Sequence, residues 1–313
     1  NELGRSPEGW AVARDLYLKC LQEDPNYAPA WAQLGRIYRV LSKYVGENSE
    51  ENLLRAGDAF HRALSINADL SLAHNLYVYL EVEMGRCQEA MVRLLDRARR
   101  RSNDAELYAA LVQACRYCGL LEPSLAAAEH AKRIDPSVLT SVGYTYFMMG
   151  DLDRAIASDR QGIRFLTAYA STARGDLETA RQIYLSSRQS VPMHSLEILE
   201  SQLNAISGDR DASLASLRKV ARSSFRDPEG LYFMARTFAY FQETGEAMGM
   251  LRGVIERGYF QPAIMTRDPW LDSLRTHPEF IQLLRLAESR RREAVGAYFA
   301  HGGDRVLGVS PAA

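Results

Sequence analysis

The sequence predicts an all-α chain, a solenoid of helix-turn-helix repeats closed by a C-terminal capping helix. Three observations predict it. No run alternates polar and apolar residues as a half-buried strand would, whereas apolar stripes at helical spacing recur throughout. Short glycine turns separate the stripes. A ladder of small residues, Ala13, Ala56, Ala90, Ser124, Ala155, Ala180, Ser213 and Ala247, repeats at intervals of 43, 34, 34, 31, 25, 33 and 34 residues. An interval near 34 residues is that of a stacked two-helix unit.

Each part of the unit has a physical reason. The turns Met84-Gly85-Arg86, Tyr117-Cys118-Gly119, Met149-Gly150-Asp151, Arg174-Gly175-Asp176 and Ser207-Gly208-Asp209 place glycine where a first helix must end in a left-handed residue. The small ladder residue, about five positions on, lets the second helix approach the first. Four and seven positions later come residues on the same helical face: Tyr17 and Cys20, Phe60 and Ala63, Ala128 and Ala131, Leu251 and Val254. Asp24-Pro25 and Asp135-Pro136 then break the helix.

The irregular intervals predict local departures. The interval of 43 holds about nine extra residues near 42–52, including Gly46-Glu47-Asn48-Ser49, and is expected to lengthen the turn between helices. The interval of 25 leaves room only for two short helices between Asp151 and Gly175, or for a stretch missing from the record. Asp159 and Gly162 stand there at positions that call for apolar residues, so a hinge is expected. The chain is accordingly divided into a block of about four and a half repeats over 7–162, a block of about three over 163–259, and capping helices with a flexible tail over 260–313. The first unit supplies only its second helix.

Beyond Arg257 the repeat stops. Gly258-Tyr259-Phe260-Gln261-Pro262 reads as a break, and Asp268-Pro269 and His277-Pro278 as helix starts. Trp270, Leu271, Leu274, Phe280, Leu283 and Leu284 are expected to cover the last repeat, because a terminal repeat needs a cover. A final helix is expected from Leu284 to about Tyr298, ahead of a flexible tail at Gly302-Gly303.

The quoted residues resemble the tetratricopeptide repeat, whose pattern runs aromatic, Leu-Gly, Tyr, Gly, Ala, aromatic, Ala, Pro. Trp31, Leu34-Gly35, Tyr38, Ala56, Phe60 and Ala63 follow it, as do Tyr108, Leu111, Gly119, Ala128, Ala131 and Pro136. Leu139, Val142-Gly143, Tyr146, Gly150 and Ala155 match in part, as do Leu231, Met234-Ala235, Phe238, Ala247 and Leu251. The resemblance covers roughly Pro7 to Tyr259 and implies a right-handed superhelical solenoid that binds a protein or peptide partner in its concave groove. It places Arg36, Arg39, Tyr79, Gln113, Arg116, Tyr117, Tyr144, Phe147, Tyr169, Tyr232, Arg236 and Tyr240 toward that groove. Tyr and Arg are the side chains that dominate binding hot spots. The competing expectation for each aromatic is packing between repeats. The Lys/Asn clamp by which some relatives hold a terminal carboxylate is not evident. The tail resembles the one that follows such arrays in bacterial multidomain signalling proteins. This implies a second reading: a partner- or ligand-sensing regulatory domain of a larger kinase, cyclase or winged-helix regulator, its effector domain lying before Asn1.

Chemistry within the chain reads as sparse. A formal net charge of -1 gives no pull toward nucleic acid or an anionic membrane, and no apolar run is long enough to span a bilayer. Four cysteines fit a reducing, cytoplasmic setting. Cys115-Arg116-Tyr117-Cys118 lacks the second pair that a structural zinc needs and reads as buried thiol packing. His61, His74, His130, His194, His277 and His301 form no metal-binding pair, and no phosphate loop or nucleophile elbow occurs. No cofactor or metal is therefore expected, and an enzyme in its own right is the third reading. The basic clusters Arg97, Arg99, Arg100 and Arg101, and Arg290-Arg291-Arg292, read as solvated faces.

Overall fold

A computed structural model describes residues 6–45, 48–158, 165–187 and 193–311. Among the described residues there is no strand, and the chain is a solenoid of paired helices. A lone helix, α1 (Pro7–Glu23), precedes seven pairs. They are α2 (Ala28–Tyr44) with α3 (Ser49–Ile66), α4 (Ser71–Glu83) with α5 (Cys87–Ala98), α6 (Ala105–Tyr117) with α7 (Leu121–Ile134), and α8 (Val142–Met149) with α9 (Leu152–Ser158). Then follow α10 (Phe165–Arg174) with α11 (Leu177–Ser187), α12 (Met193–Ile206) with α13 (Arg210–Ala221), and α14 (Pro228–Tyr240) with α15 (Thr244–Glu256).

The local chemistry behaves as the repeat demands. Gly85, Gly119, Gly150, Gly175 and Gly208 all adopt φ between 75 and 83°. Two backbone bonds close each of these turns; at Gly119 they run from Gly119 N–H to the Arg116 carbonyl and from Leu120 N–H to the Cys115 carbonyl, both 2.9 Å. Asp151, Asp176 and Asp209 follow the glycine and cap the next helix, accepting from Arg154, Thr179 and Ala212 N–H at 3.0, 3.1 and 3.0 Å. The last pair departs from this: Gln242 occupies the glycine position with φ 61°. From Ala56 onward every ladder residue is fully buried. Where the ladder carries serine, its hydroxyl donates back to the partner helix, Ser124 to the Val112 carbonyl and Ser213 to the Ser201 carbonyl, both 2.7 Å.

The two irregular intervals resolve differently. The extra residues near 42–52 go largely into helix: α2 and α3 are 17 and 18 residues long, against 13 and 12 for α4 and α5. The expected long turn is therefore corrected to two lengthened helices, with Gly46 and Glu47 outside the described residues. The interval of 25 is met by the short helices α9 and α10. Asp159, Gly162 and the 162–163 boundary lie outside the described residues.

The cap starts with α16 (Pro262–Arg267) and a 3-10 turn over Pro269–Leu274, then one continuous helix, α17 (Pro278–Ala300), longer at its start than expected. The stretch expected as a flexible tail forms α18 (Gly303–Leu307), with Leu307 buried and Tyr298 Oη donating to the Val309 carbonyl at 2.7 Å. That contact replaces a free tail with a folded one.

The array curls until distant units meet. Phe260 N–H donates to the Tyr117 carbonyl at 2.9 Å, and Cys87 Sγ–H to the Gly258 carbonyl at 2.9 Å. Arg291 reaches the Gly119 carbonyl at 3.1 Å and His301 meets Asp96 at 3.0 Å. The turn at Gly85 packs directly on Gly258: a Cβ on Gly258 would press on the Gly85 backbone, and one on Gly85 would meet the backbone of Glu256 and Arg257.

Candidate functional site

The first helices of the pairs line the concave side, and the curling decides how much of it stays open. Gln113, Arg116, Tyr117, Phe147, Tyr169, Tyr232 and Arg236 are buried, Arg36, Arg39, Tyr79 and Tyr144 are half-buried, and Tyr240 is exposed. A bare groove lined by all twelve residues is thus not what the chain builds. The chain covers seven of them itself.

A chain of charges joins α2 to α14 across this face. Arg39 Nη1 and Lys43 Nζ share Glu83 Oε1 at 2.6 and 3.0 Å, and Lys43 continues to Asp227 Oδ2 at 2.6 Å. Arg116 grips Glu229 with two bonds, Nε to Oε1 at 3.0 Å and Nη2 to Oε2 at 3.2 Å, while also donating to Ser141. Tyr117 and Tyr259 hydroxyls donate to Asp227 and Glu229 at 3.2 and 3.1 Å. Arg226 extends the seam to Ser49 and Glu50, each at 2.9 Å. Burial alone would neutralise Lys43, but Asp227 and Glu83 outweigh it and hold the ammonium well above its ordinary value. Burial likewise works against ionised Asp227, and Lys43 and two backbone N–H groups prevail, so its carboxyl stays below the usual range. Glu229 goes the other way: burial, with Asp227 beside it, outweighs Arg116 and lifts it. On the open flank, burial and the adjacent Arg39 charge hold Arg36 below the ordinary guanidinium value.

Five of the twelve residues take part in the seam or the cap. Arg39, Arg116 and Tyr117 are in the seam just described, and the Tyr232 hydroxyl donates to Asp268 of the cap at 2.9 Å. Arg236 binds Asp268 through two nitrogens at 2.7 and 3.2 Å and lies 4.4 Å from the Trp270 ring, so it ties the cap to the last repeat. Tyr169 and Phe233 stack at 4.4 Å, and Phe147 meets Phe233 at 5.5 Å. One basic cluster also needs correcting: Arg97 is buried, not solvated, bonding Asp69 and the Asp69 carbonyl at 2.9 and 2.8 Å.

Sequence reading missed Lys43, Tyr44, Phe225, Asp227 and Glu229. Asp227-Pro228-Glu229-Gly230 does read as a helix start, and Asp227 does cap α14. That Asp227 also meets α2 depends on the extra turn of α2, which carries Lys43 and Tyr44 beyond the usual repeat length. Cys87 and Cys118 sulfurs lie 3.4 Å apart and buried, with Cys115 buried as well. Burial raises the Cys115 and Cys118 thiols, which keeps them protonated packing groups. Among the described residues no group of three His, Cys, Asp or Glu side chains is placed to hold a metal, and no helix is long and apolar enough to cross a membrane.

The tetratricopeptide repeat family model matches residues 16–50, the end of α1 through the start of α3. The match identifies a tetratricopeptide repeat at residues 16–50. A solved tetratricopeptide repeat protein from Parabacteroides merdae is similar over 76% of this chain and 93% of its own, at 14% identity and a TM-score of 0.45. No curated protein matches. Tetratricopeptide repeats generally mediate protein–protein interaction.

Proposed function

We propose that this tetratricopeptide array is a non-catalytic scaffold that holds a protein or peptide on the accessible part of its concave face. The observation that carries the reading is the strip of half-buried Arg36, Arg39, Tyr79 and Tyr144 on the first helices α2, α4 and α8, with Arg39 also held by Glu83. Arg39 lies 5.3 Å from the Tyr79 ring, and Arg116 lies 5.4 Å from the Tyr144 ring, so the strip is ordered before any partner arrives. An ordered anchor loses less freedom on binding than a free one. A partner-sensing regulatory role within a larger signalling protein is the second reading, and the seam from Lys43 to Asp227 favours it. A partner that competes for those charges would loosen the ring, coupling binding to shape.

The test is capture of a partner by the full chain, followed by Arg36→Ala and Tyr79→Ala. Neither residue bonds within the seam, and circular dichroism checks that each variant is folded. Capture weakened at least tenfold in each supports the face. Equal capture by the wild type and both variants, with matching circular dichroism, places the partner elsewhere.

A further inference from the structure

The seam leaves a small pocket of about 80 Å³, open to solvent, on the concave side between α2, α8, α10, α12 and α14. Five rings wall it: Tyr44, Tyr144, Tyr169, Phe225 and Phe233. Its charged lining is acidic, supplied by Asp227 and Glu229. Lys43 and Arg116 balance those acids through the bonds of the seam and do not line it. Their positions show what the rings accept: Lys43 Nζ lies 5.3 Å from the Tyr44 ring and 5.5 Å from the Phe225 ring. Gly230 fixes the mouth, because a Cβ there would collide with the Phe225 ring.

This lining selects a ligand class. Two adjacent carboxylates repel an anion. The negative faces of aromatic rings attract a cation, more strongly where water is excluded. A bare divalent ion wants six or more oxygen ligands, which two carboxylates do not supply. An organic cation gains twice, its charge from the acids and its apolar stem from the rings. Burial holds Glu229 above the usual carboxylate range, and repulsion from Asp227 adds to it. A cation between them relieves that repulsion.

We propose that this pocket receives a basic side chain of the partner, an ammonium or guanidinium group whose stem lies among the five rings. The inference rests on the scaffold reading for where the side chain comes from, but not for its chemistry.

The full chain is titrated by calorimetry with N-acetyl-lysine methylamide, N-acetyl-arginine methylamide and the neutral N-acetyl-norleucine methylamide. Saturable binding of a cationic probe, at least tenfold tighter than norleucine, is expected. Ser195 lines the pocket from α12 and takes no part in the seam. Ser195→Phe fills the space and is expected to weaken the cationic probe at least tenfold with an unchanged melting temperature. Asp227→Asn, which keeps a capping oxygen for α14, is expected to weaken it similarly. Equal binding of norleucine, no saturable cation binding, or full cation binding by folded Ser195→Phe overturns the proposal. Partner capture by Ser195→Phe separates the two readings. Capture undiminished while probe binding is lost removes the side-chain assignment and leaves the scaffold standing. Probe binding in a chain that captures no partner supports the pocket and removes the scaffold.

Discussion

Lys43→Met removes the charge that links Glu83 to Asp227 while keeping most of the stem that packs around it. The lysine side chain is 7% exposed, Glu83 4% and Asp227 23%. Breaking a buried ion pair from one side costs about 3–5 kcal/mol, because the partner is left uncompensated. Here the lower end applies. Glu83 retains Arg39, and Asp227 retains the Tyr117 hydroxyl and two backbone N–H groups. The expected loss is about 3 kcal/mol. Urea unfolding followed by far-UV circular dichroism measures it, as a lower midpoint with little change in slope. Asp227→Asn in the same background closes a double-mutant cycle, and contacting charges in one network couple by up to about 3 kcal/mol. The double variant should therefore be less damaged than the two losses summed. A Lys43→Met loss within about 0.5 kcal/mol of zero, the range of ordinary surface changes, refutes the seam as drawn.

Three further outcomes are expected. Gln242→Gly should stabilise the chain by about 1 kcal/mol, since a left-handed residue other than glycine costs about 1–2 kcal/mol; an unchanged urea midpoint counts against that turn. Asp209→Ala should cost about 1 kcal/mol through loss of the α13 cap, with Asp209→Ser recovering most of it. His74 should make the fold acid-sensitive: its pKa is pushed down to about 4 by burial, against about 6.5 unfolded, so the unfolded chain binds the proton first and stability falls as pH drops from 6.5 toward 4. Neutral His74 donates Nε2–H to the Ala68 carbonyl at 2.9 Å and accepts from Arg93 at Nδ1, a bond that protonation abolishes. After allowance for solvent screening the loss is about 2 kcal/mol, and His74→Gln should flatten that part of the stability–pH curve.

The helical architecture was legible because its determinants are local. Gly119 and its counterparts end first helices, Asp151, Asp176 and Asp209 start second ones, and small residues at Ala56, Ala90 and Ala155 mark where helices touch. Each of these signals lies within a few residues of the structure it specifies. The concave face was legible only in direction. Repeat position placed Arg116, Tyr117 and Arg236 toward the inside, but whether an inward side chain meets solvent depends on which distant unit arrives opposite it. Glu229 stands 113 residues from Arg116 and Asp227 184 from Lys43, separations at which periodicity carries no register. The longer α2 and α3 were read as a longer turn because extra residues look alike in either place. The folded end was read as a tail because Gly302 takes the left-handed conformation that starts α18, while also reading as a flexible spacer.

Small-angle X-ray scattering of the full chain tests the closure of the repeat array most directly. A closed array of this length follows compact-domain scaling, and its radius of gyration should be about 20 Å. Lys43→Met with Arg226→Ala should shift it upward. A wild-type value above about 26 Å, well beyond compact scaling, would describe an open superhelix in which α2 and α14 never meet, and would remove both the seam and the pocket.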